Sequence, residues 1–392
     1  MATTSTFALP GLLLLVAAPL SGGSSGALQE KPQEFFYRRP IQKALGVTVK
    51  ETHDLLLMSL TTQFGEADPV PSTVAMRLRT RMDSAMAEEA VDTGEGPGAM
   101  RRRYLAHEGE IQVIDPGSVD EVAGTWNGVT IALKSPLEGT SVAFVPADAQ
   151  PGGFGRHFDA LALRESALPK LSAPTDWSRY LKPADADGKH MIALGDQWTL
   201  DIALLEPLLA PAGFLGWRTE KPKEGEEKRE SDQQILRAFT SGVGGNLQLG
   251  FDGEVSGTAE ARLQTVGVDP DNGRYGQIQI DFDLTFRADR EDFVDARRLE
   301  EDGEMDVEVL GGELEVGVKG VAFVNWGLAL GRPFSCLVTG EESVVMTVRV
   351  LPPDSQNVVS QAMSMKGGLA HGLTFKELDL QPVKRTVVTG DR

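Results

Sequence analysis

The chain has 392 residues, 24% of them charged, with a net charge of −19 at pH 7 and an isoelectric point near 4.8. Such an acidic surface repels phosphate backbones and anionic membrane surfaces, so no nucleic acid partner is expected. Hydrophobic residues, at 41%, suffice for ordinary cores and exclude a disordered chain, while the single cysteine, Cys336, excludes an internal disulfide.

The first residues read as a leader. Residues 7–20, FALPGLLLLVAAPL, are apolar and uncharged, and Ser25-Gly26-Ala27 places small residues for cleavage after Ala27. The apolar run is shorter than the roughly 20 residues a membrane span needs. The most apolar later stretch, 200–215, is interrupted by Asp201, Glu206, Pro207 and Pro211. The expectation is a signal peptide over 1–27 and an extracytoplasmic mature chain, periplasmic or secreted, with no transmembrane segment after the leader.

Residues 28–40 carry the aromatic cluster Phe35-Phe36-Tyr37, which reads as a strap on the domain that follows. Residues 47–60 suit a strand or a short helix. Over 73–86, Val74, Met76, Leu78, Thr80 and Met82 alternate with Arg77, Arg79, Arg81 and Asp83, as in a strand with a solvated face matched by acidic neighbours across the sheet. Strands follow over 100–105 and 110–114. Trp126 then leads a strand–turn–strand unit over 122–145, and 158–168 has helical spacing. A short strand at 191–194 and a Gly-Asp turn precede a helix-like run over 200–209. Residues 218–234, RTEKPKEGEEKRESDQQ, are charged and read as a linker.

Beyond the linker the strand signals strengthen. Residues 246–265 alternate, Asp269-Pro270-Asp271-Asn272-Gly273 makes a tight turn, and Ile278, Ile280, Phe282, Leu284 and Phe286 fall on one face of a strand. Residues 313–351 read as three strands, turning at Gly331-Arg332-Pro333 and again at Thr339-Gly340-Glu341-Glu342. The tail, 358–380, suits a helix or irregular piece and a final strand. The expected fold class is mainly β (α+β): two curved antiparallel β-sheet domains, 28–217 and 235–392, joined by the linker 218–234 and covered by a few helices.

Signals for chemistry are sparse. The histidines, His53, His107, His157, His190 and His371, are scattered, and no pair has the i, i+4 spacing of a helical zinc site. Asp269, Asp271 and Asn272 before Gly273, and Asp185 and Asp187 before Gly188, resemble fragments of calcium loops without the closing glutamate; turn formation explains both. The G-x-S-x-G match at Gly22–Gly26 lies in the leader, outside any strand-to-helix turn. Cys336 falls mid-strand among apolar neighbours, as a small buried hydrophobe does. The acidic pairs Glu88-Glu89, Glu300-Glu301-Asp302 and Glu341-Glu342 read as solvated, edge-protecting charge. Gly242-Val243-Gly244-Gly245-Asn246 lacks both the P-loop lysine and the dinucleotide-binding spacing. No catalytic, cofactor-binding or metal-binding residue is assigned, no cofactor is implied, and the chain is not expected to be an enzyme.

Three segments carry a resemblance. They are 192–201, IALGDQWTLD, with the following LLAPAG; 253–280, with its Gly-Glu-Val start and the strand NGRYGQIQI; and 320–340, with Trp326, Gly331-Arg332-Pro333 and Thr339-Gly340-Glu341. In that order they resemble a group of secreted bacterial envelope proteins classed as a domain of unknown function. At the level of fold, long antiparallel strands with a few covering helices look like the half-barrels of lipoprotein carriers such as LolA. The resemblance brings no catalytic residues. The leader, the alternating strands and the missing catalytic constellation favour a non-enzymatic extracytoplasmic β-rich protein that binds a lipid or other apolar small molecule on a concave sheet, with Met76, Met82, Met86 and Met100 either as adaptable lining or as ordinary core. The alternatives are a structural or protein-interaction module of the envelope, and a hydrolase.

Overall fold

A computed structural model describes residues 31–38, 43–72, 75–90, 100–119, 127–135, 137–146, 154–158, 171, 174–211, 213, 218–219, 254–288, 308–351 and 356–378. The leader, Trp126, the run 159–168, linker residues 220–234 and the acidic group Glu300-Glu301-Asp302 lie outside them. The strands are β1 (Gln33–Phe35), β2 (Ala44–Phe64), β3 (Val70–Pro71), β4 (Arg77–Ala90), β5 (Met100–Ile114), β6 (Gly128–Lys134), β7 (Ser141–Pro146) and β8 (Phe154–Phe158). They continue with β9 (His190–Ile192), β10 (Gln197–Thr199), β11 (Arg218–Thr219), β12 (Glu254–Asp269), β13 (Gly273–Ala288), β14 (Glu308–Gly327), β15 (Arg332–Leu351) and β16 (Val359–Leu378). Among the described residues, one short α-helix, α1 (Glu206–Leu209), stands between β10 and β11.

The fold is mainly β and antiparallel. A 14-stranded sheet runs β10-β12-β13-β14-β15-β16-β2-β4-β5-β6-β11, with β3 added to β2, β7 to β5 and β8 to β7; β1 and β9 pair separately. The segments expected as separate domains therefore supply one sheet, because β16 pairs with β2 from Val359–Phe64 to Leu378–Ala44. Residues 32–392 form a single compact unit.

Side-chain alternation explains why these strands form and which face they bury. In β13, Ile278, Ile280, Phe282, Leu284 and Phe286 are all buried, and the register sets them against Val324, Ala322, Gly320, Val318 and Val316 of β14. The same parity continues through Cys336, Val338 and Val344 of β15 and Met365, Leu369, Leu373 and Phe375 of β16. It carries on through Val47, Val49 and Leu55 of β2 and Leu78, Met82 and Met86 of β4. These side chains belong to one continuous core.

The opposite face carries charge. Asp54 accepts hydrogen bonds from Arg77 Nε at 2.6 Å and Arg79 Nη2 at 2.9 Å, so the arginine stripe is matched by acid across the sheet as expected. Burial works against the Asp54 carboxylate, but the two guanidinium groups outweigh it and hold its pKa below the usual range. Lys319–Asp283 and Arg287–Glu315 extend the pattern on β13 and β14.

Two local expectations are corrected. β15 does not turn at Thr339-Gly340-Glu341-Glu342; it runs unbroken from Arg332 to Leu351. Gly340 lies opposite Gly320, where a Cβ would run into the Thr339 carbonyl, so the glycines here serve close approach between backbones instead of a turn. The tail is not helical: 359–378 is a single strand, its apolar residues spaced by twos. The helix-like run at 200–209 is a 3-10 turn, Ile202–Leu205, followed by the four residues of α1.

The buried face is covered by short turns. Trp177, Tyr180, Leu181, Leu204, Leu205, Leu208 and Leu209 are buried and join the core. Trp177 stands edge-on to Phe375 with ring centres 5.2 Å apart. The Phe35-Phe36-Tyr37 segment is the expected strap: Phe35 and Tyr37 pack on Trp326, whose Nε1–H donates to the Phe36 carbonyl at 3.2 Å.

Emptying a site on the buried parity should be far costlier than trimming its neighbour. Phe286→Ala is expected to destabilise the protein by about 3–5 kcal/mol, and Arg287→Ala by under about 1 kcal/mol. Equilibrium urea denaturation measures both, and equal costs would contradict the assignment of faces.

Candidate functional site

On this apolar face, ionisable side chains gather where β15, β16, β2 and β4 adjoin. His371 of β16 lies directly opposite Glu51 of β2, and His53 lies opposite Leu369 on one side and Thr80 of β4 on the other. Glu342 of β15 faces Gly367 of β16, a position without a side chain, and its carboxylate reaches diagonally across β16 to His53. His53, Glu342 and His371 are buried to between 0% and 4% exposure, and Glu51 is only partly buried.

Each ring has one nitrogen committed. His53 Nδ1–H donates to Glu342 Oε2 at 2.8 Å, and His371 Nδ1–H donates to the Leu208 carbonyl of α1 at 3.2 Å. The remaining nitrogens, His53 Nε2 and His371 Nε2, face each other at 3.4 Å. A carboxylate oxygen of Glu51 lies with them, the three ligand atoms being within 4.8 Å of one another. Two buried oxygens beside the cluster, Glu342 Oε1 and Thr80 Oγ1, have no hydrogen-bond partner.

The electrostatics follow from burial and proximity. Desolvation disfavours a charged His53, but the charge and hydrogen bond of Glu342, aided by Glu51, more than compensate and raise its pKa. Burial and the neighbouring His53 charge push His371 down to about 3. Burial pushes Glu51 up to about 7, with His53 pulling the other way. The arrangement can hold a proton between two imidazoles, or a cation in the same place.

A second polar group lies on the same face. Arg102 is buried and ion-paired to Glu88 at 2.6 Å, with its guanidinium 5.3 Å from the Phe144 ring centre. His107 is fully buried against Tyr104, with no hydrogen-bond partner on either ring nitrogen. Burial, reinforced by the positive charge of Arg102, pushes its pKa down to about 4.

The residues weighed from sequence fall out as follows. Ladder pairing unites His53 and His371, which sequence spacing leaves unconnected. Glu342, read from sequence as solvated turn charge, is in fact buried, because an unbroken β15 places it on the parity of Val338 and Val344. Its neighbour Glu341 is exposed as expected, while Glu88 and Glu89 are ion-paired to Arg102 and Arg103. The calcium-loop fragments are turns: Asp269 Oδ1 accepts from the backbone N–H groups of Asp271 and Asn272, and Asp185 Oδ1 from those of Asp187 and Lys189. Cys336 is buried, and burial pushes its thiol up to about 12, the behaviour of an inert apolar residue. Met82, Met86 and Met100 are buried, and Met76 packs beside the core. The legible signal for the site is parity: His53, His371 and Glu342 each occupy the apolar face of a strand.

No family model matches the chain, and no curated protein matches it. Among solved structures, the COG4313 outer membrane channel from Pseudomonas putida F1 aligns over 88% of this chain and 98% of its own, at 8% identity and a TM-score of 0.22. The InvG secretin domain β-barrel from the Salmonella SPI-1 injectisome aligns over 88% and 65%, at 8% identity and a TM-score of 0.14. A hot dog fold protein from Alicyclobacillus acidocaldarius aligns over 87% and 81%, at 9% identity and a TM-score of 0.08. None of the three is a LolA-like carrier, and at these scores they carry no argument. No helix among the described residues is long and apolar enough to cross a membrane.

A histidine buried in its neutral form makes stability depend on acid. The folded pKa of His107 lies below the unfolded value of about 6.5, so its contribution is intact above that pH and is lost as pH falls towards about 4. Among the described residues, Arg102, itself ion-paired to Glu88, and Tyr104 are its ionisable neighbours. Replacing His107 with Leu is expected to improve unfolding free energy relative to wild type by about 1–3 kcal/mol between pH 7 and pH 4. Denaturant melts across that range measure the difference, and a pH-independent difference would contradict neutral burial.

Proposed function

We propose that this is an extracytoplasmic, non-enzymatic protein that binds a lipid or other apolar small molecule against the buried face of its sheet, which curves around the ligand. The observation that supports this reading is the nature of the cover. Among the described residues, short turns and the two-stranded β1–β9 pair, and no long helix, lie over the apolar face, inserting Phe35, Trp177, Tyr180, Leu204, Leu205 and Leu208. Apolar contact is non-directional and scales with area, so an acyl chain can take the place of leucine side chains with little loss. Buried methionines, Met82, Met86, Met100 and Met365, supply surfaces that re-pack around a variable chain.

The opposite face, with its Asp54–Arg77–Arg79 and Lys319–Asp283 pairs, suits water. A lipid-facing barrel wall would need an apolar band there. A second reading, an interaction module of the cell envelope, draws on exposed apolar side chains at one end of the sheet. Met58, Phe64 and Val70 are 57–61% exposed, and the pairing of Val70 with Thr62 puts Val70 and Phe64 on one face of β2 and β3.

Protein purified from the envelope of its own host is expected to carry co-purifying lipid, detected by mass spectrometry of an organic extract. The emptied protein is expected to bind a fluorescent fatty acid. A lipid-free preparation that takes up no fluorescent fatty acid would contradict the carrier reading. Recurrent in-cell cross-linking to one protein partner through β2–β3, with no small molecule bound, would favour the second.

A further inference from the structure

Beyond the apolar-ligand reading, we propose that Glu51, His53 and His371 bind a divalent first-row transition-metal ion of the zinc class, with Glu342 as the positioning residue that orients His53. The inference rests on geometry. Both histidines have their Nδ1–H committed to acceptors, Glu342 and the Leu208 carbonyl, which leaves both Nε2 atoms directed into the same space 3.4 Å apart. This separation is long for a hydrogen bond, whose usual range is about 2.7–3.2 Å. It matches the edge of a metal tetrahedron: two nitrogens about 2.0–2.1 Å from a tetrahedral ion lie about 3.4 Å apart.

The outer contacts are also those of a metal site. A ligating histidine characteristically donates its second N–H to a carboxylate or a backbone carbonyl, and here one of each is present. Charge argues the same way. Two neutral imidazoles with the carboxylates of Glu51 and Glu342 balance a dication in a buried site whose ladder neighbours are Leu55, Leu369, Val338 and Thr80. Glu342 Oε1, fully buried and without a partner, is the residue of that demand for positive charge. The mixed imidazole and carboxylate donors favour zinc, cobalt, iron or manganese over calcium or magnesium. Glu51, only partly buried, provides the side from which an ion enters. A tetrahedral ion would keep its fourth position for water or a small oxygen ligand.

The test uses the full-length chain, stripped with a chelator and titrated with Co²⁺. Visible absorption and thermal melting report occupancy, and far-UV circular dichroism reports folding. One equivalent is expected to bind, with the intense d–d bands of a low-coordinate site and a raised Tm. His371→Gln and Glu51→Gln are expected to weaken binding at least tenfold. Glu342→Gln, which keeps the shape and removes the charge, should weaken it about 10–100-fold. Should His371→Gln fail to fold, Glu51→Gln decides alone, since it is nearly isosteric and changes a residue that is only partly buried. Uptake of less than one equivalent by the wild-type protein overturns the proposal, as does unchanged affinity in folded Glu51→Gln.

Discussion

The ladder between β16 and β2 is the constraint on which the rest depends. It joins the end of the chain to its beginning, pairing Leu378 with Ala44 and Val359 with Phe64 across 20 residues of β16. Two sequence halves that each look like a domain become one sheet through this pairing. Contacts so distant in sequence are costly in loop closure, and the long register recovers that cost through many hydrogen bonds and one shared apolar face. Without it, Glu51 and His53 would have no route to His371, 318 residues from His53.

Register does further work along this ladder. Side chains alternate with a period of two, so a slip of one residue would carry His53, Val49 and Leu55 to the solvent face and bring Lys50 and Asp54 inside. The irregularity between Ser364 and Met365 falls beyond the cluster, leaving the pairing of His371 with Glu51 undisturbed. Gly367 then gives Glu342 its path from the next strand. The sheet holds a polar site in its apolar core through strand parity and one missing side chain.

Much of this fold was legible in the chain. β13 is readable residue by residue, as are the arginine face of β4 and the strap at Phe35, because binary patterning reports directly on burial. Gly340 looks like a turn because it stands beside two glutamates, yet β15 runs through it. Its real role, close approach to Gly320, depends on a partner strand that sequence does not identify. The same turn-like pattern conceals Glu342, which is buried only because β15 continues. The histidine pair was hidden for a related reason: spacing rules describe ligands on one helix or one loop, and these ligands come from strands at opposite ends of the chain. The parity clue was present, in that a charged residue standing where a valine is due calls for a partner.

A hydrogen bond links the buried cluster to the apolar cover over it: α1 presents the Leu208 carbonyl to His371. An ion in the cluster would therefore fix the imidazole that α1 rests on, and so tie the cover to the sheet. The most direct measurement is anomalous X-ray diffraction from crystals of the protein grown with Zn²⁺, recorded at the zinc edge. The account predicts one strong peak between His53 Nε2 and His371 Nε2, about 2.0–2.1 Å from each, with a Glu51 oxygen beside it. An empty site, with the two rings hydrogen-bonded to each other or to water in their place, would contradict it.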